Sequence, residues 1–263
     1  MRSFAALFAL LLFSAPLLAQ EKKPEVVVKH AGAMRITIRE GNMAAHAALD
    51  TLLNKPHVVA IGPVEGLKGE ITVINSKPFV TKIKGIGAST QADTTAKAAF
   101  LVYAQVPAWK EYPIPTAIKD VTQLQEYIRY ISKTERFETN QAFPFLIRGK
   151  VESARIHVVN KTDDKPVTPQ THDAIKASFE ITNQQTEMVG FYSTRHQGIF
   201  THHGSFTHIH LITQDQQLSG HLDDLKLVPG KSVLLLPDLP ESQRKKRVKL
   251  EGGGKKAFKL DTY

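Results

Sequence analysis

The chain contains no cysteine. No disulfide can staple the fold, no thiolate can ligate a metal, and a bacterial lipoprotein anchor, which needs a cysteine at its cleavage site, is excluded. Any metal must be held by His, Asp or Glu. Long apolar runs are scarce as well. Beyond the first twenty residues none approaches the ~20 apolar residues of a membrane-spanning helix. Aromatic residues are few among the basic runs near the end, RKKRVK (Arg244 to Lys249) and GGGKKAFK (Gly252 to Lys259), where Phe258 stands alone. A surface that binds nucleic acid needs such interleaving for base stacking, so no nucleic-acid partner is expected. The net charge of +9 reads as a solvated basic tail.

What is present begins with MRSFAALFALLLFSAPLLAQ. Arg2 supplies a charged start, Phe4 to Phe13 an apolar stretch, and Leu17-Leu18-Ala19 a small-residue end. Ser14 and Pro16 interrupt the run, which is short for a membrane anchor. This is the pattern of a cleaved signal peptide, residues 1–19, with the cut at Ala19/Gln20. Export without disulfides points to a bacterial periplasmic or extracellular protein, with no stable membrane anchor after cleavage.

The remainder, out of 263 residues, suffices for one large domain or two smaller ones. RITIRE (Arg35 to Glu40) alternates like a strand, and GNMAAHAALDTLLN (Gly41 to Asn54) has helical spacing up to Pro56. HVVAIG, GEITVI, PFVTKI and AAFLVYAQV read as short strands. Asp120, with Gln123 three residues on, opens a helix whose stripe is Val121, Leu124, Ile128 and Ile131. Strands resume with FPFLIRGKV, ARIHVV, ASFEIT, EMVGFYS, SFTHIHLI, GHLDDLKLV and SVLLL. Many strands and few helices imply an α+β, mostly β chain of two mixed β-sheet domains, residues 20–140 and 141–263. The boundary is expected near 136–142.

Six of the eleven histidines fall within residues 196–221. On a strand His208 and His210 project from one face. A hairpin with its tip at Asp215-Gln216 puts His210 opposite His221, with Cβ atoms roughly 4.5–5.5 Å apart. Three neutral imidazoles on one face can converge on Zn²⁺ and leave an open fourth position, the arrangement of a catalytic site. His202 and His203, just before, read as loop residues.

The motif HIHLITQDQQLSGHLDD, with VGFYSTRHQGIF before it and AALDTLLNKPHVVAIGPVEGLKGEITVI and AAFLVYAQV far upstream, resembles the bacterial α-acetolactate decarboxylases. The resemblance runs in order from about residue 40 to about 240. It implies zinc on His208, His210 and His221, and decarboxylation of 2-acetolactate, or a related 2-hydroxy-3-oxo acid, to acetoin. It also implies an active-site glutamate at Glu70. The family's substrate-handling arginine falls at His157, with Arg155 two residues earlier, and its second glutamate finds only Glu251 near the C-terminus. The family's Gly-Thr-Phe is Gly62-Pro63-Val64 here. A small-molecule substrate and a homodimer are the expected partners. Two rivals stand beside this reading. One is a non-catalytic, zinc-stabilised module related to PPC-type domains, which share the His-X-His-X10-His spacing. The other is a cupin-like barrel, disfavoured because no glutamate follows His-X-His at the required distance. Glu70 close to the histidine face separates the enzyme from the module.

When the chain is produced in a bacterium with its own N-terminus, mass spectrometry of the exported protein should find Gln20 as the first residue. An intact Met1 terminus would exclude processing.

Overall fold

The computed structural model describes residues 23–138, 140–163, 167–168 and 170–246. The expected signal segment and Glu251 lie outside them. In chain order the elements are β1 (Lys29–Ala31), α1 (Met34–Arg39), β2 (Ala47–Ala48), β3 (Val58–Pro63), β4 (Glu70–Ile74), β5 (Lys77–Lys84), β6 (Gly87–Gln91), β7 (Lys97–Ala98) and β8 (Leu101–Gln105). There follow β9 (Trp109–Pro113), α2 (Val121–Thr134), β10 (Phe143–Val159), β11 (Lys176–Thr182), β12 (Gln185–Tyr192), β13 (Thr207–Thr213) and β14 (Ser219–Pro237). The chain is mostly β with few helices, as the alternating segments imply.

Two six-stranded sheets form, ordered β1-β8-β3-β4-β5-β6 and β11-β10-β12-β13-β14-β9, and the strand ladders within each are antiparallel throughout the described residues. In the second sheet β10 pairs with β12 and also with β14, so β10, β12, β13 and β14 close into a ring. Two segments each read as a pair of strands in the sequence are continuous: β10 runs 17 residues and β14 19. Register shifts along their shared ladder let such long strands bend around the core.

The core has two principal layers. Phe145, Ile147, Ile156, Met188, Leu211, Leu222 and Leu234 fill the ring, and α2 adds Leu124, Tyr127, Ile128 and Ile131. Each such side chain contributes roughly 1.5–3 kcal/mol when fully buried. Between the sheets, Val59, Ile61 and Val102 of the first meet Leu146, Val189, Phe191 and Ile212 of the second. The sheets therefore share an interior, and a side chain on β13 that faces away from the ring faces the first sheet.

Two local expectations are corrected. RITIRE forms α1, not a strand. Met34 and Arg35 donate their backbone N–H groups to Ile199 and Gly198, and buried Thr37 donates its hydroxyl to the Ala33 carbonyl. Docking of the first turn on the 198–199 loop outweighs the β propensity of the Ile-Thr-Ile stretch. GNMAAHAALDTLLN is not a helix either; only Leu49–Thr51 makes a single 3-10 turn. Its backbone is claimed by other segments: His46 N–H bonds to Ala98, Leu49 N–H to Ala96, and the Met43 carbonyl accepts from Gly66. The helical spacing of its leucines survives as two anchors, Leu49 and Leu52, buried in the first sheet's outer core. Strand β9 pairs with β14 of the second sheet, and α2 packs on the ring.

The reading of Asp120 as a helix opener has its structural counterpart: its carboxylate accepts the Gln123 backbone N–H at 2.8 Å. Asp120→Ala should cost about 1 kcal/mol. Urea denaturation should therefore show a lower midpoint with an unchanged slope.

Candidate metal centre

All seven residues of β13 are buried, and they alternate between two interiors. Ile209 and Leu211 enter the ring, whereas His208, His210 and Ile212 face the first sheet. The hairpin beyond turns at Asp215-Gln216, where the Thr213 hydroxyl donates to the Asp215 carboxylate and Gln216 takes a positive φ of 59°. Its register places His210 opposite His221, as the spacing implies. One strand further, His157 of β10 stands opposite His221. Gly220 permits that approach, since a Cβ there would lie 2.6 Å from the His157 carbonyl oxygen.

His208, His210 and His221 each present one ring nitrogen within 4.8 Å of the others'. Their ring centroids are 5.1 Å (His208–His210), 4.8 Å (His208–His221) and 5.7 Å (His210–His221) apart. Nδ1 of His210 lies 3.0 Å from the Thr72 hydroxyl, which also accepts from Ser219 at 2.8 Å. That contact orients the ring and leaves its buried Nε2 without a hydrogen-bond partner; Nδ1 of His208 is likewise unpartnered. Burial, followed by His157, depresses the His210 pKa to about 3. Burial and neighbouring imidazoles hold His208 and His221 well below the ordinary histidine range. The rings are therefore neutral at pH 7, the form that ligates metal. Three neutral imidazoles with ligand atoms within 4.8 Å of one another, two of them carrying a buried nitrogen without a hydrogen-bond partner, fit a divalent ion.

Glu70 opens β4 directly after Gly69, whose φ of 139° disfavours a side chain. It is 4% exposed, and its Oε2 lies 3.7 Å from His210 Nε2. Loss of hydration raises its pKa to about 8, opposed by a hydrogen bond from the Val159 backbone. Without metal, the contact is thus between a carboxylic acid and a neutral imidazole, and 3.7 Å is too long for a hydrogen bond. Glu65 instead accepts the Ala45 backbone N–H at an exposed position.

Glu70, His157, His208 and His221 line one cavity of about 30 Å³, together with Pro63, Met34 and Ile38. Met34 and Ile38, four residues apart, come from the same face of α1. A second cavity of about 320 Å³ adjoins it and shares His157, His202 and His221. His157 is buried, and its Nδ1 lies 2.8 Å from Asp223 Oδ1. Arg155 is exposed and lies outside both cavities. The two residues that the sequence offered for the arginine position are thus separated: the structure brings in His157 and leaves out Arg155.

His202, read from the sequence as a loop residue, packs edge-on against His221 with centroids 5.0 Å apart. His172 also lines the inner cavity, and burial together with Lys176 and His157 depresses both pKa values to about 4. Asp223 and Lys176 line the outer cavity. His172 stands on a single 3-10 turn and His202 in a loop, where no periodicity marks a site; only their residue type was a signal.

Fold and site define a two-sheet β protein with a buried three-histidine metal-type cluster facing a glutamate. The model of the alpha-acetolactate decarboxylase family matches residues 34–235, more than half of the chain, and the chain belongs to that family. Two solved structures of acetolactate decarboxylase, from Bacillus subtilis strain 168 and from Bacillus subtilis subspecies spizizenii, share the fold. The first is 14% identical with a TM-score of 0.65 and coverage of 80% of this chain and 85% of that one. The second is 15% identical with a TM-score of 0.66 and coverage of 80% and 86%. A Staphylococcus aureus protein of unknown function, described as similar to alpha-acetolactate decarboxylase, gives 15% identity, TM-score 0.65 and coverage of 82% and 86%. No curated protein matches the chain.

The opposed pKa shifts predict the pH response of the metal-free protein. Glu70 is raised, so its contribution is complete below about pH 4.5 and is lost as pH rises towards 8. The depressed histidines contribute above about pH 6.5, and that stability is lost on acidification. Thermal melts of metal-free Glu70→Gln should gain on the unmodified protein as pH rises from 5 to 8. A difference independent of pH would contradict the buried acid.

Proposed function

We propose that the chain is a zinc-dependent acetolactate decarboxylase that converts 2-acetolactate, or a close 2-hydroxy-3-oxo acid, to acetoin and CO2. Membership of the family supports a carboxy-lyase. The observation that carries the reading is the placement of Glu70, buried and 3.7 Å from His210, on the face of the three histidines. This arrangement favours the enzyme over a zinc-stabilised binding module, which has no use for a buried acid there.

The bond to the carboxylate carbon breaks, its electron pair passes into the neighbouring ketone, and the carbon that lost CO2 takes a proton. A divalent ion on His208, His210 and His221 supplies Lewis-acid stabilisation of the negative charge that develops. Glu70, buried on the histidine face beside His210, is the acid placed to deliver that proton. The substrate exceeds the inner cavity of about 30 Å³ and extends into the outer one past His157. His157, oriented by Asp223, is the group that meets the carboxylate; exposed Arg155 takes no part in this reading. Pro63, Met34 and Ile38 close the inner wall and keep water from the reacting carbon. The expected signal peptide makes the mature protein an exported enzyme.

Purified protein given racemic acetolactate should form acetoin above the spontaneous rate. A chelator should abolish the activity and zinc restore it. Glu70→Gln should lower kcat by about 10²- to 10⁴-fold while zinc stays bound. Full zinc occupancy with no acetoin above background would overturn the activity.

A further inference from the structure

Beside the three-histidine set lies a second set with the same construction, moved over by one strand. In the first, β13 supplies two residues two apart, His208 and His210, and β14 supplies His221. In the second, β14 supplies two residues two apart, His221 and Asp223, and β10 supplies His157. The ligand atoms of each set lie within 4.8 Å of one another.

Three features mark the second set as more than adjacency. A register shift singles out Asp223: Arg155 pairs with Asp224 and Ile156 with Leu222, so Asp223 has no partner across the ladder. A bulge of this kind re-aims a side chain, and Asp223 meets His157 at 2.8 Å. His157 is 3% exposed, and its ring lies 4.6 Å from that of His221, centroid to centroid. The outer cavity, about 320 Å³ and lined by all three residues, leaves room for an ion with water or substrate on its open positions.

We propose that His157, His221 and Asp223 form a second site for a divalent transition-metal ion, with two nitrogens and one carboxylate oxygen as protein ligands. The proposal rests on the inner metal reading to the extent that His221 is common to both sites. An imidazole has two nitrogens, so His221 serves both ions once the second displaces its remaining proton to solvent. Asp223 turns from its hydrogen bond with His157 to the ion. In the doubly loaded protein this ion takes over from the His157 imidazole as the group that meets the carboxylate of an acidic substrate, and Asp223 exchanges its role of orienting His157 for that of a ligand.

The test is metal stoichiometry, independent of turnover. Untagged full chain is stripped with a chelator and titrated with zinc by calorimetry, with elemental analysis after gel filtration. Two equivalents per chain are expected, the second weaker. His157→Ala and Asp223→Asn should each reduce binding to one equivalent and leave the tighter one within about threefold. The double variant His208→Ala/His210→Ala should lose the tighter equivalent. Asp223→Asn keeps the side-chain shape, so it decides the matter if thermal melts show that His157→Ala does not fold. A single equivalent in the unmodified protein, or two equivalents surviving in either variant that folds, overturns the proposal. Two equivalents without acetoin formation would keep the second site and remove the decarboxylase reading.

Discussion

Imidazole nitrogens that the protein itself does not satisfy are held in its interior between two sheets. Nδ1 of His208 and Nε2 of His210 are buried without hydrogen-bond partners. Each such group costs on the order of 1–3 kcal/mol, against a net stability of roughly 5–15 kcal/mol for a typical domain. A sequence with no use for those nitrogens would place leucine or valine there, as β13 does at Ile209 and Leu211. An ion that binds the folded state alone offsets the cost through its own affinity. The cluster is therefore a strain on the metal-free chain and a source of stability once filled.

The two sheets make that strain tolerable. The hairpin holds His208, His210 and His221 from the ring side, and Thr72 reaches across from the first sheet to fix the His210 ring. Glu70 comes from the same strand as Thr72, two residues away on the same face. One strand of the first sheet thus supplies both the hydroxyl that orients His210 and the acid that faces it. The apolar contacts that lock the sheets, Ile61 and Val102 against Val189 and Phe191, also fix the distance between acid and histidines. Specificity of geometry at the site is a consequence of packing, since a shift of one sheet over the other would separate Glu70 from His210.

The hairpin was legible because its information is local. Period-two alternation and a short turn fix which residues face each other, and His210 opposite His221 follows from counting. The helix α2 was legible for the same reason: cap and stripe lie within one segment. Where distant backbone competes for hydrogen bonds, the local pattern misleads. Arg35 to Glu40 alternates, yet the 198–199 loop takes its first N–H groups and a helix results. Residues 41–54 carry helical spacing, yet strands and loops of the first sheet take their N–H and C=O groups. His172 stands on a lone 3-10 turn and His202 in a loop, and no periodicity encodes either position. Asp223 is a subtler case, because its aim depends on a one-residue shift in register between two strands far apart in the chain.

The charge of the cavity ties these features together. Burial makes Glu70 a neutral acid near pH 7 and keeps His172, His202, His208, His210 and His221 neutral. Where the family resemblance implies an arginine, β10 presents His157 joined to Asp223. A guanidinium would put a permanent positive charge in that wall; a histidine–carboxylate pair does not. Lys176 is the permanent cation of the outer cavity, and Asp173 already engages its ammonium at 2.7 Å. An anionic substrate entering this space therefore finds little fixed positive charge from side chains. Under the proposed function its charge is balanced by the cation on the histidines, and substrate binding is then coupled to metal binding more closely than a resident arginine would require.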